Sequence, residues 1–143
     1  MKKVCLLVLP VMICLFMLLG LTSCSSNSSG SKTSNGSITI NGESFSESDL
    51  RAILINDTHK AKQFVGAEAI VTGKVTEKSD GFYFTGNSNR FTGPIIRINN
   101  FCFGVYSSVL DNLELGDTIT IKAKITHVIG SSMYCLGGSE IIN

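Results

Sequence analysis

The chain has no Gly-x-Ser-x-Gly, no His-Glu-x-x-His and no phosphate-cradling glycine loop, so no motif for a serine nucleophile, a zinc hydrolase or a nucleotide is present. Its only histidines, His59 and His127, stand far apart, and there is no Cys-x-x-Cys, which leaves no spacing suited to a bound metal. Asp111, Glu114 and Asp117 gather near a turn, where carboxylates more often serve solvation and turn chemistry than a reaction. No internal repeat is visible. The chain therefore reads as a non-enzyme with no cofactor and no metal.

What is there begins with an address. Lys2 and Lys3 precede an almost wholly apolar run from Val4 to Leu19, and the run ends in Gly20-Leu21-Thr22-Ser23-Cys24. This resembles a bacterial lipoprotein signal peptide with Leu21-Thr22-Ser23-Cys24 as its lipobox. The resemblance implies cleavage after residue 23, lipidation of Cys24 with a diacylglyceryl (palmitate-type) anchor, and a place on the extracytoplasmic face of a bacterial cell membrane. The alternative is an uncleaved signal anchor, since the run is close to the roughly 20 residues a spanning helix needs. The cysteine closing the run, and Pro10 within it, argue against that alternative. Residue 25 is serine rather than aspartate, so an inner-membrane retention signal is absent; in an envelope with two membranes, this points to the outer one.

Without residues 1–23, ten basic residues face eleven acidic ones, a net charge of −1. That is poor equipment for a polyanion, because neutralised phosphates supply most non-specific affinity for nucleic acid. Cys5 and Cys14 leave with the signal and Cys24 is lipidated, so Cys102 and Cys135 are the remaining thiols, in a compartment where disulfides persist. Ser25 to Ser37 contains no apolar residue and reads as a flexible tether. Its expected root-mean-square span is ~20 Å. The organisation is thus a signal over 1–23, a lipidated cysteine and tether over 24–37, and a folded domain over 38–143.

That domain reads as mainly β. Ser37–Ile40 is a strand ending at the Asn41-Gly42 turn. Ser46 and Asp49 then have capping-box spacing, with Phe45 and Leu50 at staple positions and Leu50, Ile53 and Leu54 as an apolar stripe. A second short helix runs from about Asp57 or Thr58 to Phe64 and stops at Gly66, with His59 on a solvated face beside Lys60 and Lys62. In Glu68–Glu77 the residues Ala69, Val71, Gly73 and Val75 share one face, and Gly73 marks a bend that lets one strand serve two sheets of a small closed barrel. Further strands are expected at Gly81–Thr85, Pro94–Ile98, Phe101–Tyr106, from Thr118 through Thr126, and from Met133 to Ile142 with an interruption at Gly137-Gly138. Gly86–Arg90 reads as a turn and Ser107–Leu113 as a short crossover with helical character.

Asn56, Ala61, Phe64 and Gly66, then Ile70–Val75, Phe101-Cys102-Phe103, Leu115–Lys122 and Tyr134–Ile141, are similar to the OB-fold family called tRNA-anti-like. The similarity covers roughly Leu50 to Ile142 and implies a small five-stranded OB-fold barrel preceded by one or two short helices. The chain departs from the family at Ala123, where glycine is usual, and at Ser139, where cysteine is common.

Such barrels bind ligands on the face of their second and third strands. Phe82, Phe84, Arg90, Phe91 and Arg97 fall in that region as a candidate binding surface, although a small barrel also needs bulky residues inside. The expected role is a membrane-tethered module for a protein, peptide or glycan. An oligonucleotide-binding domain or a structural envelope lipoprotein with no ligand are the alternatives, and nucleic acid is disfavoured by charge. In an OB barrel the third and fifth strands are neighbours. Cys102 and Cys135 lie on them, and their alternation with Phe101, Phe103, Tyr134 and Leu136 would allow both thiols one outward face. A disulfide between them is one reading; two separate, partly buried thiols is the other.

Overall fold

The computed structural model describes residues 36–85 and 90–142. The signal, Cys24, nearly all of the tether and most of the Gly86–Arg90 turn lie outside the described residues. Among the described residues no helix is long and apolar enough to cross a membrane.

Strand β1 (Ser37–Ile40) buries Ile38 and Ile40. Asn41 and Gly42 take positive φ values of 50° and 84°, and the chain returns as β2 (Glu43–Phe45), a strand too short to show in the sequence pattern. The Asn41 side chain accepts the Glu68 N–H at 3.0 Å while its own N–H donates to the Glu68 carbonyl at 2.8 Å, fastening this turn to the next strand. Helix α1 (Glu47–Asn56) starts at Ser46, whose hydroxyl accepts the Asp49 N–H at 3.1 Å and donates to the Asp49 carboxylate at 2.6 Å. The carboxylate thus meets the capping hydroxyl rather than the backbone. Leu50 and Leu54 of α1 are buried. Helix α2 (Thr58–Gln63) is capped by Asp57, which accepts the Lys60 N–H at 2.9 Å. His59 is exposed on it, as its polar neighbours imply.

Strand β3 (Glu68–Lys74) turns Ala69, Val71 and Gly73 inward, and Val75 continues that face. It sits at the centre of the first sheet, whose order is β10-β7-β3-β1-β2, with β7 over Thr118–Lys124 and β10 over Glu140–Ile141. The second sheet has the order β4-β5-β6-β9-β8, with β4 over Glu77–Thr85, β5 over Arg90–Ile98, β6 over Phe101–Gly104, β8 over His127–Ile129 and β9 over Ser132–Cys135. Helix α3 (Ser107–Asn112) connects β6 to β7. All pairings are antiparallel except β6 with β9.

The chain passes between sheets at two corners. Val75 N–H bonds the Asp117 carbonyl at 2.9 Å, while the next residue, Thr76, bonds the Arg97 carbonyl at 2.8 Å in the other sheet. Ile125 N–H bonds Ala67 at 2.9 Å, and Thr126 bonds Tyr134 at 2.7 Å. The first corner corrects the bend expected at Gly73, which lies two residues earlier. A Cβ on Gly73 would stand 2.6 Å from Ile98 Cγ2, so this glycine makes room for a side chain of the facing sheet. The expected single strand from Met133 to Ile142 is likewise two, β9 and β10, in different sheets. Gly138, at a φ of 69°, lies in the connection between them. Between the sheets lies one apolar cluster that includes Val71, Ile121, Ile98, Phe101, Phe103 and Met133, closed at one end by Leu50, Leu54 and Phe64. Phe101 and Phe103 stack in it at 5.7 Å.

Candidate functional site

Alternation along the second sheet creates a second side, facing away from that cluster. Residues paired in register across all five strands form one row on it: Glu77, Arg97, Cys102, Tyr134 and His127. Phe82 and Phe84 join this side only because of a bulge. Ser79 pairs with Ile95 but Phe82 pairs with Gly93, so β4 carries one residue more than β5, and the extra residue shifts the parity of the rest of the strand. Phe91, opposite Phe84, shares the side.

The rings form a connected layer. Phe84 lies 4.8 Å from the His127 ring and 5.0 Å from the Tyr134 ring, and Phe82 stacks on Tyr134 at 6.4 Å with 20° between planes. The Arg97 guanidinium carbon stands 6.0 Å above the Tyr134 ring centroid, a cation–π distance. Glu77 Oε2 lies 2.8 Å from Arg97 Nε. The approach is off the N–H direction, leaving an ion pair without an aligned hydrogen bond at that buried nitrogen. Gly93 and Gly104 receive Phe91: a Cβ on Gly104 would stand 2.8 Å from Phe91 Cζ, and one on Gly93 3.5 Å. At the far side Thr126 Oγ1 donates to the Tyr134 carbonyl at 2.8 Å and accepts the Leu136 N–H at 3.3 Å, fixing the β8–β9 corner under the rings.

Beneath this layer Ile95 and Cys102 are fully buried, although neither belongs to the cluster between the sheets. Burial pushes the Cys102 thiol up to about 11; the Arg97 charge opposes the shift and Glu77 adds to it. Cys135 is raised further, chiefly by burial and then by Cys102.

Of the residues expected to form a binding surface, Phe82, Phe84, Phe91 and Arg97 come together on this side, whereas Arg90 is exposed on the opposite face of β5 beside Thr92. Phe84 is only 7 % exposed, so it supports the layer rather than presenting itself. Tyr134 and His127 stand outside the set that the sequence suggests; their signal is the alternation of β9, which with the opposite parity puts Tyr134 outward and Cys135 inward. The two thiols are free. The expected neighbouring of their strands holds, but Cys102 pairs with Tyr134 and Cys135 with Phe103. That offset of one residue places the thiols on opposite faces of the sheet, so the common outward face expected for them is corrected.

A second concavity, a groove of about 460 Å³, lies between α1, α2 and the β8–β9 turn, lined by Leu54, Ile55, Ala61, Lys62 and Val128 among others. Among the described residues no three His, Cys, Asp or Glu side chains come together as metal ligands. No protein-family model, curated protein or solved structure matches the chain.

Proposed function

We propose that this is a lipid-anchored extracytoplasmic binding module of OB-fold type, acting by holding a protein, peptide or glycan partner at the membrane surface rather than by catalysis. The observation that carries the reading is the ring layer of Phe82, Phe84, Tyr134 and His127 on the outward side of the second sheet. In an OB barrel that side, contributed by the second and third strands, is where ligands bind. The OB reading is further supported by the parallel β6–β9 pairing and by strands that pass from one sheet to the other at Val75 and Ile125. The lipobox supplies the address, with Cys24 as the anchored residue.

Arg97 meets Glu77 on this side, so the guanidinium is neutralised rather than offered to phosphates. That, with a mature charge of −1, favours a neutral partner over an oligonucleotide. Crosslinking from the native envelope through a photoreactive group at position 82 tests the reading. A protein, peptide or glycan adduct is expected; nucleic-acid adducts alone would replace it with the oligonucleotide reading. The address has its own test: Cys24→Ser is expected to abolish acyl labelling, and persistent labelling would remove the anchor.

A further inference from the structure

We infer that the end of the domain formed by α1, α2 and the β8–β9 turn docks on an anionic lipid bilayer, giving the anchored domain a fixed orientation at the membrane. The inference rests on the anchor in the proposed function and adds a second, non-covalent contact to it.

The groove at this end has an apolar floor and an apolar rim. Leu54 and Ala61 are buried in its lining, whereas Ile55 beside them is exposed. Val65, whose N–H bonds the Lys62 carbonyl at 3.2 Å, continues the end of α2 and is exposed as well. Ile129, also exposed, stands at the β8–β9 turn between Val128 and Gly130 of the lining. These are three of the six large apolar side chains exposed among the described residues, so half of them gather at one end. A patch of that kind with a polar rim marks a contact surface.

Charge identifies what the surface contacts. Lys62 lines the groove, Lys60 precedes it on α2, and Lys124 Cε lies 4.0 Å from where a Cβ on Gly66 would stand. All three lysines are exposed and form no ion pair among the described residues. The nearby acids are engaged: Asp57 caps α2 through the Lys60 N–H, and Glu68, opposite Lys124 in register, meets Lys122 at 3.0 Å. At the other end of the β3–β7 ladder, beside Val75, Leu115 is equally bare, but Asp111, Glu114 and Asp117 flank it in the chain and outnumber Lys74 and Lys78. Apolar side chains ringed by lysine enter the headgroup boundary of anionic lipid, and the acidic end is repelled from it. The tether permits this orientation. It joins the domain at Ser37, opposite Thr72, and the five residues of β3 from there to Ala67 cover roughly 17 Å, within the ~20 Å span of the tether.

The test places the full lipidated chain in nanodiscs with a quencher-labelled lipid and a fluorescent amino acid at position 55 or, as control, position 115. In discs containing anionic lipid, quenching at position 55 is expected to be at least threefold stronger than at position 115. Zwitterionic discs, or Lys60→Gln, Lys62→Gln and Lys124→Gln together, are expected to bring the two positions to equality. Circular dichroism verifies folding, and should the lysine variant fail to fold, the zwitterionic discs alone decide. Equal quenching in anionic discs, or a preference for position 55 that survives in zwitterionic discs, overturns the inference. Acyl labelling of the same preparations reports the anchor separately: a labelled chain with equal quenching loses the docking and keeps the anchor, and an unlabelled chain loses both.

Discussion

The two sides of the second sheet are built from the same strands and differ in what confines them. Inward, Ile98, Phe101, Phe103 and Met133 are held between two sheets and capped by helices, so each is fully buried by elements that cannot withdraw independently. Outward, Ile95 and Cys102 are buried to the same degree, but on the side that carries the ring layer of Phe82, Phe84, Tyr134 and His127 rather than between two sheets. Equal burial thus conceals unequal confinement. A cavity opened on the inward side is enclosed and collapses only in part, whereas one on the outward side can be closed by a ring that swings.

Truncation separates the two sides most strongly. Phe101→Ala is expected to cost about 3 to 5 kcal/mol in urea unfolding, and Phe84→Ala about 1 to 3 kcal/mol, because the outward layer can relax. Similar losses at both positions would mean that the outward layer is as confined as the core.

Added volume gives a finer version of the same contrast. Gly73→Ala drives a methyl against Ile98, which is enclosed, and should cost about 1 to 3 kcal/mol. Gly104→Ala drives one against the half-buried Phe91 ring, with the Leu136 Cα 3.3 Å away, and because the ring can swing toward solvent the expected loss is about 1 kcal/mol, the low end of that range. Unfolding midpoints of the two variants measure this directly.

The smallest expected effect is on pH dependence. Cys102 titrates near 9 when exposed and is pushed up to about 11 in the folded chain, so the unfolded chain loses its proton first as pH rises. Stability contributed by this neutral thiol is complete below about 9 and declines between about 9 and 11. Cys135 shifts in the same direction. Unfolding midpoints compared at pH 8 and pH 10 are expected to fall, and to fall less in Cys102→Ala.

Much of the fold was legible because its signals are local. The Ser46 cap, the start of the second helix at Thr58, the Asn41-Gly42 turn and the alternation of Ala69, Val71, Gly73 and Val75 appear where the residue pattern places them. The outward site was half legible for an equally physical reason. Aromatic residues of β4 and β5 stand out in the chain, but the bulge between Ser79 and Phe82 resets parity, and only that shift brings Phe82 and Phe84 to the side of Glu77 and Arg97. The facing of Cys135 depended on a register between two strands distant in sequence, which alternation within either strand does not determine.

Native-state thiol labelling of a chain with Cys5, Cys14 and Cys24 replaced by serine, which leaves Cys102 and Cys135, tests unequal confinement most directly. Cys102 lies under the outward layer and Cys135 in the core, on adjacent strands of one sheet. Labelling of Cys102 is expected to be faster and nearly independent of urea at low concentration, since local opening of the ring layer exposes little surface, while Cys135 reacts only through global unfolding with the full urea dependence. A single rate with a single urea slope for both thiols would contradict the account, because the two sides of the sheet would then open together.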